Sequence, residues 1–472
     1  MTQEGKPRLE LVRGLGPWAS MAIVVGTMIG TGIFLKPAEM ARDAGSVGIV
    51  FAAWVVGGIL SLFGALAYAE LGAAIPEAGG EYAYLSRSFG PKTGFLFGWT
   101  HSIVARPASA ASIAAGVMLF ARFLWPSMGT PIHVFDFNYS FLGQAKHFHF
   151  VFGWSQPLAI LVLVAITGIN YLGVRFGGWV QILLTAIKIG SVLLIIVAAF
   201  TLSRGGGTTF HPFFTGSLGK GAFGGFLAAM AAAMWAYDGW EDLNLVGSEI
   251  ENPSKNFHRA LFGGVAFVIV VYLLFNAASF YVLPLATVAN SPHVASDVVA
   301  KIAGLGAATW VTVAMVIAGL GSLNSSILSG ARVDYAMARD GIFFRIAGGI
   351  HPKFRTPSRA LIFQCVLASL FALTGTFEDL TSLFIFAGWI FYGLATIGLF
   401  RLRRIEPNMP RPYHCWGYPW VPGAFVAGAL ALTVNLWLDR PVRCTIGLAL
   451  MFAGLFFYQH WKRRGGPNAH SA

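Results

Sequence analysis

Lys188 lies in the middle of an uninterrupted apolar stretch, Gly178 to Phe200 (GWVQILLTAIKIGSVLLIIVAAF), which is long enough to cross a bilayer. An unpaired charge at that depth costs roughly 2.5–3.5 kcal/mol even on the most forgiving insertion scale, so the ammonium needs partners inside the protein. Arg106 is the second charge at depth. It precedes Pro107, which leaves the Ile103 carbonyl without its helical donor, so the guanidinium is expected to serve freed carbonyls or to pair with an acid on a neighbouring helix. A third group is acidic: Asp238, Glu241 and Asp242 sit in FGGFLAAMAAAMWAYDGWEDLNLVGSEIENP, where a lipid-facing helix would not hold them, and the helix is expected to unwind at Asp238 and Gly239. The fourth is a cluster in WASMAIVVGTMIGTGIFLKPAEM, where Gly26, Gly30 and Gly32 alternate with Thr27 and Thr31. Such residues weaken a helix and open its backbone, which a bilayer tolerates only where the backbone lines a cavity.

Two interrupted spans suggest one ligand held between them. After a break at Gly30 to Gly32, the free amides of the second half-helix carry the positive end of a dipole and can hold a carboxylate. Before a break at Asp238, the carbonyls of Trp235, Ala236 and Tyr237 lose their helical donors and can accept an ammonium. A zwitterionic amino acid fits both. The bland alternative is close helix packing through Gly26-x-x-x-Gly30; it accounts for the first cluster alone but not for the acids of the second. Trp235 and Trp240 read equally as core aromatics or as pocket walls.

The elements that must position these groups follow from composition. Of 472 residues 56% are hydrophobic and 11% charged, with a mean hydropathy of +0.67, whereas a soluble domain carries about 25% charged residues. The fold class is an all-α polytopic membrane protein. Twelve candidate spans centre near residues 28, 60, 110, 163, 189, 234, 270, 318, 366, 390, 427 and 451. The interrupted spans are the first and sixth. Their odd offset of five implies two inverted five-helix halves, a 5+5 repeat, with a discontinuous helix 1 and helix 6. The resulting divisions are an N-terminal tail at 1–14, repeats at 15–203 and 204–405, two further helices at 406–462, and a C-terminal tail at 463–472. Lys and Arg distribute 21 to one face and 9 to the other, with Arg106 and Lys188 within spans, so both termini are expected on the cytoplasmic side of a plasma or inner membrane.

The net charge of +12 is thus an orientation signal, and no nucleic-acid partner is expected. The first apolar run continues too far for a signal peptide and has no small-residue cleavage site. Cys365, Cys415 and Cys444 are far apart in sequence and are expected as free thiols. An enzyme would need convergent acids with histidine or metal ligands at one depth, and no such cluster and no phosphate-cradling loop is present. No cofactor is expected.

Six motifs recur in register along nearly the whole chain. They are Gly26 to Phe34 (GTMIGTGIF), Glu70 to Tyr84 (ELGAAIPEAGGEYAY), Arg106 to Ser109 (RPAS), Asn170 to Lys188, Ala236 to Trp240 (AYDGW) with Glu249 to Pro253, and Arg411 to Pro419 (RPYHCWGYP). On these the chain resembles the amino acid, polyamine and organocation transporters, nearest to bacterial relatives of the L-type amino acid transporters. The resemblance implies a substrate α-carboxylate on the amides of Gly30, Thr31 and Gly32, with Thr27 nearby, and an α-amino group on carbonyls at Trp235, Ala236 and Asp238. Trp235 matches an aromatic lid that is often Phe; the larger ring favours small neutral amino acids. The resemblance also implies that the Lys188 ammonium stands where sodium-coupled relatives hold a cation, between carbonyls of helix 1 and the hydroxyls of Ser322 and Ser325. Transport would then be sodium-independent, with proton symport and obligatory exchange both open.

Glu70 and the Pro76 to Tyr84 turn read as a cytoplasmic re-entry with a structural or gating role, placing Tyr82 and Tyr84 at the interface. Animal L-type transporters bond an accessory glycoprotein through a loop cysteine after span three; this loop has none, so no disulfide-linked partner is expected. The loop from Pro126 to Gln156 is long, and its His133, His147 and His149 lack an acidic or thiol companion, so no metal is expected there. Two other readings stand beside the neutral amino acid transporter: a cationic amino acid or polyamine carrier using Asp238, Glu241 and Asp242, and a non-transporting amino acid sensor.

Overall fold

The computed structural model describes residues 13–141, 144–203, 210, 213–214, 221–374, 377–439 and 441–463. Helices dominate. The first span consists of α1 (Pro17–Met28) and α2 (Gly32–Ala44), followed by α3 (Val47–Ala74) and the short α4 (Glu81–Phe89). α5 (Pro91–Thr100) runs through a π-helical turn (His101–Ala105) into α6 (Arg106–Leu124). After a hairpin come α7 (Ser155–Tyr171) and α8 (Val174–Leu202), then α9 (Gly221–Ala236) and the one-turn α10 (Asp242–Leu245). The rest is α11 (Pro253–Val282), the short α12 (Leu285–Asn290) and α13 (Val294–Ala303), α14 (Leu305–Arg339), α15 (Ser358–Thr374), α16 (Phe377–Ile405), α17 (Trp420–Asp439) and α18 (Pro441–Arg463).

Among the described residues nine helical segments are long and apolar enough to cross a membrane, and three shorter apolar helices accompany them at Ser155–Tyr171, Ala222–Ala236 and Ser358–Leu373. Their outer faces are apolar: Trp179, Leu183, Leu194, Trp310 and Phe456 are exposed, which suits lipid contact and not water. The interior is built around the two halves of the first span. α1 packs against α8, α11 and α14, while α2 packs against α9. α6 and α14 lie side by side, with α16 against α6 and α4.

The expectation of an all-α chain needs one correction. Residues 131–141 and 144–153 form an antiparallel hairpin, β1 (Pro131–Phe141) and β2 (Gln144–Gly153), within the loop that carries the histidines. The reason is local: PIHVFDFNYSF and KHFHFVF alternate aromatic or β-branched residues with polar ones at a period of two, which is strand patterning. His133 is exposed and its ring lies 4.6 Å from that of Phe135. The side chains of His147 and His149 lie outside the described residues. Among the described residues no group of three metal-ligating side chains occurs. The N-terminal tail through residue 12 and the C-terminal tail beyond residue 463 also fall outside the description.

The three cysteines are unbonded to one another. In the loop after α16, burial and the neighbouring Glu70 push the Cys415 thiol up to about 12, so it stays protonated and unreactive.

Candidate functional site

The helical hydrogen-bond ladder of the first span stops at Ile29, whose ψ of 89° leaves the helical region. α2 restarts from Thr31, and the amides of Gly30, Thr31 and Gly32 have no hydrogen-bond partner among the described residues. α9 ends at Ala236, and residues 237–241 turn before α10. Gly239 sits in that turn at φ 106°, a conformation open to glycine and strained for other residues. The two interruptions touch: a Cβ added to Gly32 would lie 2.8 Å from the Cα of Ala236, and the Cα face of Gly239 abuts Thr27. Glycine at 32 and 239 is therefore what permits the two breaks to meet.

Between them lies a cavity of about 390 Å³, open side included. Thr27, Gly30, Thr31, Gly32, Trp235 and Asp238 line it, together with Arg106 and Ser322. Met28, Ser109, Ile113 and Ser326 complete the wall. Trp235 is buried and meets Phe384 of α16 edge to face at 5.6 Å. Ala236 and Tyr237 do not line the cavity. The ring of Tyr237 turns away to pack on Trp54 and Tyr272 at 5.5 and 5.0 Å. The Ala236 carbonyl accepts from the Tyr272 hydroxyl at 2.8 Å, and the same hydroxyl reaches the Met28 carbonyl at 2.5 Å. One phenol thus ties the first break to the second. The sequence reading missed Tyr272, a single tyrosine in an apolar helix with no neighbouring motif to mark it.

Lys188 is fully buried behind the first break. Its Nζ donates to the Gly26 carbonyl at 2.6 Å and to Ser322 Oγ at 3.1 Å. Ser322 Oγ in turn lies 3.2 Å from the carbonyls of both Gly26 and Ile29. Its single hydrogen goes to one of them, so the ammonium and the hydroxyl together serve the carbonyls released where α1 ends. The lysine reaches across Gly321, where an added Cβ would sit 3.1 Å from Lys188 Cε. Ser325 is buried nearby, but its Oγ has no partner among the described residues and is not bonded to Lys188. A further amide chain flanks the lysine: Asn170 Nδ2 donates to Asn324, Asn324 Nδ2 to Gln181, and Gln181 Nε2 to Thr185.

Of the two roles expected for Arg106, the structure shows the acid pair. Arg106 Nη2 lies 2.5 Å from Asp242 Oδ1, with further bonds to Ser326 Oγ and His101 Nε2 at 3.2 Å each. Among the described residues it donates to no backbone carbonyl. The π-helical turn at His101–Ala105 brings His101 beside the guanidinium. Glu70, at the end of α3, is remote from the cavity. It holds Arg403 at 2.6 Å, Arg411 at 3.5 Å and the Cys415 amide at 2.6 Å, tying α3 to α16 and the loop before α17. Tyr82 and Tyr84 are not interfacial: both are buried, with Tyr82 on Asp340 at 2.5 Å and Tyr84 on Asn244 at 2.9 Å. α4 folds inward because Gly79 donates to the Leu245 carbonyl, stitching the turn onto the second half of the broken helix.

A helical membrane protein that holds a polar cavity between two abutting broken helices has the construction of a secondary transporter. The chain belongs to the amino acid permease family, whose sequence profile matches residues 15–457, within the amino acid, polyamine and organocation superfamily. It is similar to the serine/threonine exchanger SteT of Bacillus subtilis (strain 168), with 31% identity over 96% of this chain and 98% of that one. It is also 32% identical to the b(0,+)-type amino acid transporter 1 of Mus musculus, over 85% of this chain and 78% of the mouse protein. The large neutral amino acids transporter small subunit 2 of Homo sapiens is 32% identical over 96% of this chain and 82% of the human one. Family and relatives are membrane transporters and not enzymes.

Proposed function

We propose that the protein is a sodium-independent secondary transporter of neutral L-amino acids, working by alternating access. The observation that carries this reading is Lys188 Nζ on the Gly26 carbonyl and Ser322 Oγ, a fixed cation beside the first break. An ammonium held there leaves no reason for a coupling sodium ion. The free amides of Gly30, Thr31 and Gly32 hold the substrate carboxylate, and Asp238 with the carbonyls around Trp235 faces its amino group across the cavity. The relatives named for serine/threonine exchange and for large neutral amino acids support a neutral substrate. Of the acids at the second break, Asp242 is paired with Arg106, and Glu241 accepts hydrogen bonds from Tyr392 and the Gly239 amide.

The architecture that goes with this reading is twelve transmembrane helices in two inverted five-helix repeats followed by two more, in the plasma or inner membrane with both termini cytoplasmic. It works without a disulfide-linked accessory subunit.

Counterflow in proteoliposomes with a panel of labelled amino acids tests the function. Small neutral amino acids should accumulate equally with and without sodium, and excess lysine, arginine or putrescine should not compete. Uptake that requires sodium, or binding with no flux, would refute it. The carboxylate seat has its own test. A Cβ on Gly30 would lie 2.6 Å from Ser322 Oγ, so Gly30→Val should eliminate measurable amino acid binding to the purified protein. Unaltered affinity in that variant would place the seat elsewhere.

A further inference from the structure

A groove of about 700 Å³, open side included, is formed by α3, the first turns of α11 and the loop before α17. It shares no residue with the substrate cavity. Leu66 of α3, Phe262 and Gly263 of α11 and Trp416 of the loop make its apolar walls, and His258, Arg259 and Tyr413 complete it. The loop is fixed in place at two points. The His258 imidazole stacks on the Tyr413 ring at 5.1 Å, within 4° of parallel, and Glu70 accepts from the Cys415 amide, next to Trp416, at 2.6 Å. Even so, Trp416, Trp420 and Phe262 are 72%, 83% and 51% exposed. Exposed indoles at the ends of apolar helices belong to the headgroup level of a bilayer.

The charge of the groove is uncompensated. Arg259 and Lys255 are exposed and form no ion pair among the described residues. The other basic groups nearby are already used: Arg403 and Arg411 both hold Glu70, and Arg411 also donates to the carbonyls of Leu402, Glu406, Pro407 and Met409. Arg259 is thus the guanidinium of this groove that is open to a ligand. Its planar fork can donate two parallel hydrogen bonds to two oxygens of one phosphate.

α11 presents basic and apolar surface in order. Lys255, Arg259, Phe262, Gly263, Ala266 and Val270 recur at intervals of three or four and so share one face, basic in its first turns and apolar beyond them. Phe262 and Val270 are exposed along this track. The rise from Arg259 to Val270 is about 16 Å at 1.5 Å per residue, close to the roughly 15 Å of hydrocarbon in one leaflet. A free phosphate gains nothing from the apolar track. A molecule with an anionic head and a leaflet-length tail matches both parts.

We propose that this groove binds one anionic phospholipid, with its phosphate on Arg259, Lys255 close by, and an acyl chain laid along Phe262, Gly263 and Val270 against Leu66 and Trp416. The proposal goes beyond the transport reading and does not depend on which substrate is carried. A zwitterionic lipid brings an ammonium beside the same phosphate and sets like charge against Arg259 and Lys255, so the site discriminates by net charge.

The test titrates the purified full-length protein in detergent and counts bound lipid by native mass spectrometry. The probes are phosphatidylglycerol, phosphatidylcholine and glycerol 1-phosphate. Phosphatidylglycerol should bind at least tenfold tighter than phosphatidylcholine, and glycerol 1-phosphate at equal concentration should not displace it. Arg259→Gln should bring the two lipids within about twofold of each other. Lys92→Gln, at an exposed lysine at the start of α5, should leave the preference intact. Equal affinity for the two lipids in the wild type, a preference that survives Arg259→Gln, or the same loss in both variants overturns the site. Displacement by glycerol 1-phosphate would make it a free-phosphate site and overturns the lipid assignment. If Arg259→Gln does not fold, Trp416→Ala takes its place; phosphatidylglycerol should then bind at least threefold more weakly, and unchanged affinity overturns the proposal.

Discussion

Lys188→Ala should reach the membrane in normal amount and lose nearly all transport. The ammonium makes two charge-assisted bonds, to the Gly26 carbonyl and to Ser322 Oγ, and such bonds contribute roughly 1.5–3 kcal/mol each. Losing about 3 kcal/mol of the arrangement at the first break corresponds to roughly a hundredfold fall in turnover, at 1.4 kcal/mol per factor of ten. Folding should suffer less, because Ser322 can still donate to one of the two carbonyls it touches. Initial counterflow rates normalised to surface protein measure the effect. Near-normal exchange in the variant would remove Lys188 from the mechanism.

The second large effect concerns stability. Arg106→Ala leaves Asp242, which has no exposed surface, as a buried acid without its cation. Breaking a buried pair from one side destabilises by about 3–5 kcal/mol, whereas replacing both members by apolar residues is often neutral. Thermal unfolding of the purified protein should therefore show a large drop in midpoint for Arg106→Ala and recovery of most of it in Arg106→Met combined with Asp242→Leu. Equal destabilisation of the single and double variants would mean that the pair is not what holds α6 to α10. The double variant should nonetheless fail to transport, since Arg106 also lines the cavity.

How much was legible beforehand depends on how local each cause is. The breaks near Gly30 and Asp238 announce themselves because glycine, threonine and acids at mid-span act on the backbone within a few residues of themselves. The need of Lys188 for partners was equally plain, since a buried charge is expensive wherever the chain goes. Its actual partners were not readable from spacing alone: Gly26 and Ser322 lie 162 and 134 residues away, and Ser325, one turn along the same helix from Ser322, is not bonded to it. Arg106 had two plausible answers, carbonyls or an acid, and the choice came from α10 arriving 136 residues later. The hairpin has an equally local cause, the alternation of aromatic or β-branched residues with polar ones along PIHVFDFNYSF and KHFHFVF.

Amino acid order alone determined that the chain is a helical membrane protein, which two spans break, and which charges are trapped at depth, because hydration, helix propensity and chain stiffness act between neighbours. Only the tertiary structure decided that Tyr272 bridges the two breaks, that Tyr82 and Tyr84 turn inward, and that Glu81 and His101 share a chamber with Glu241. Those pairings depend on distances between helices, and such distances are set by close packing of glycine against backbone at points like Gly32 and Ala236, which no single segment encodes.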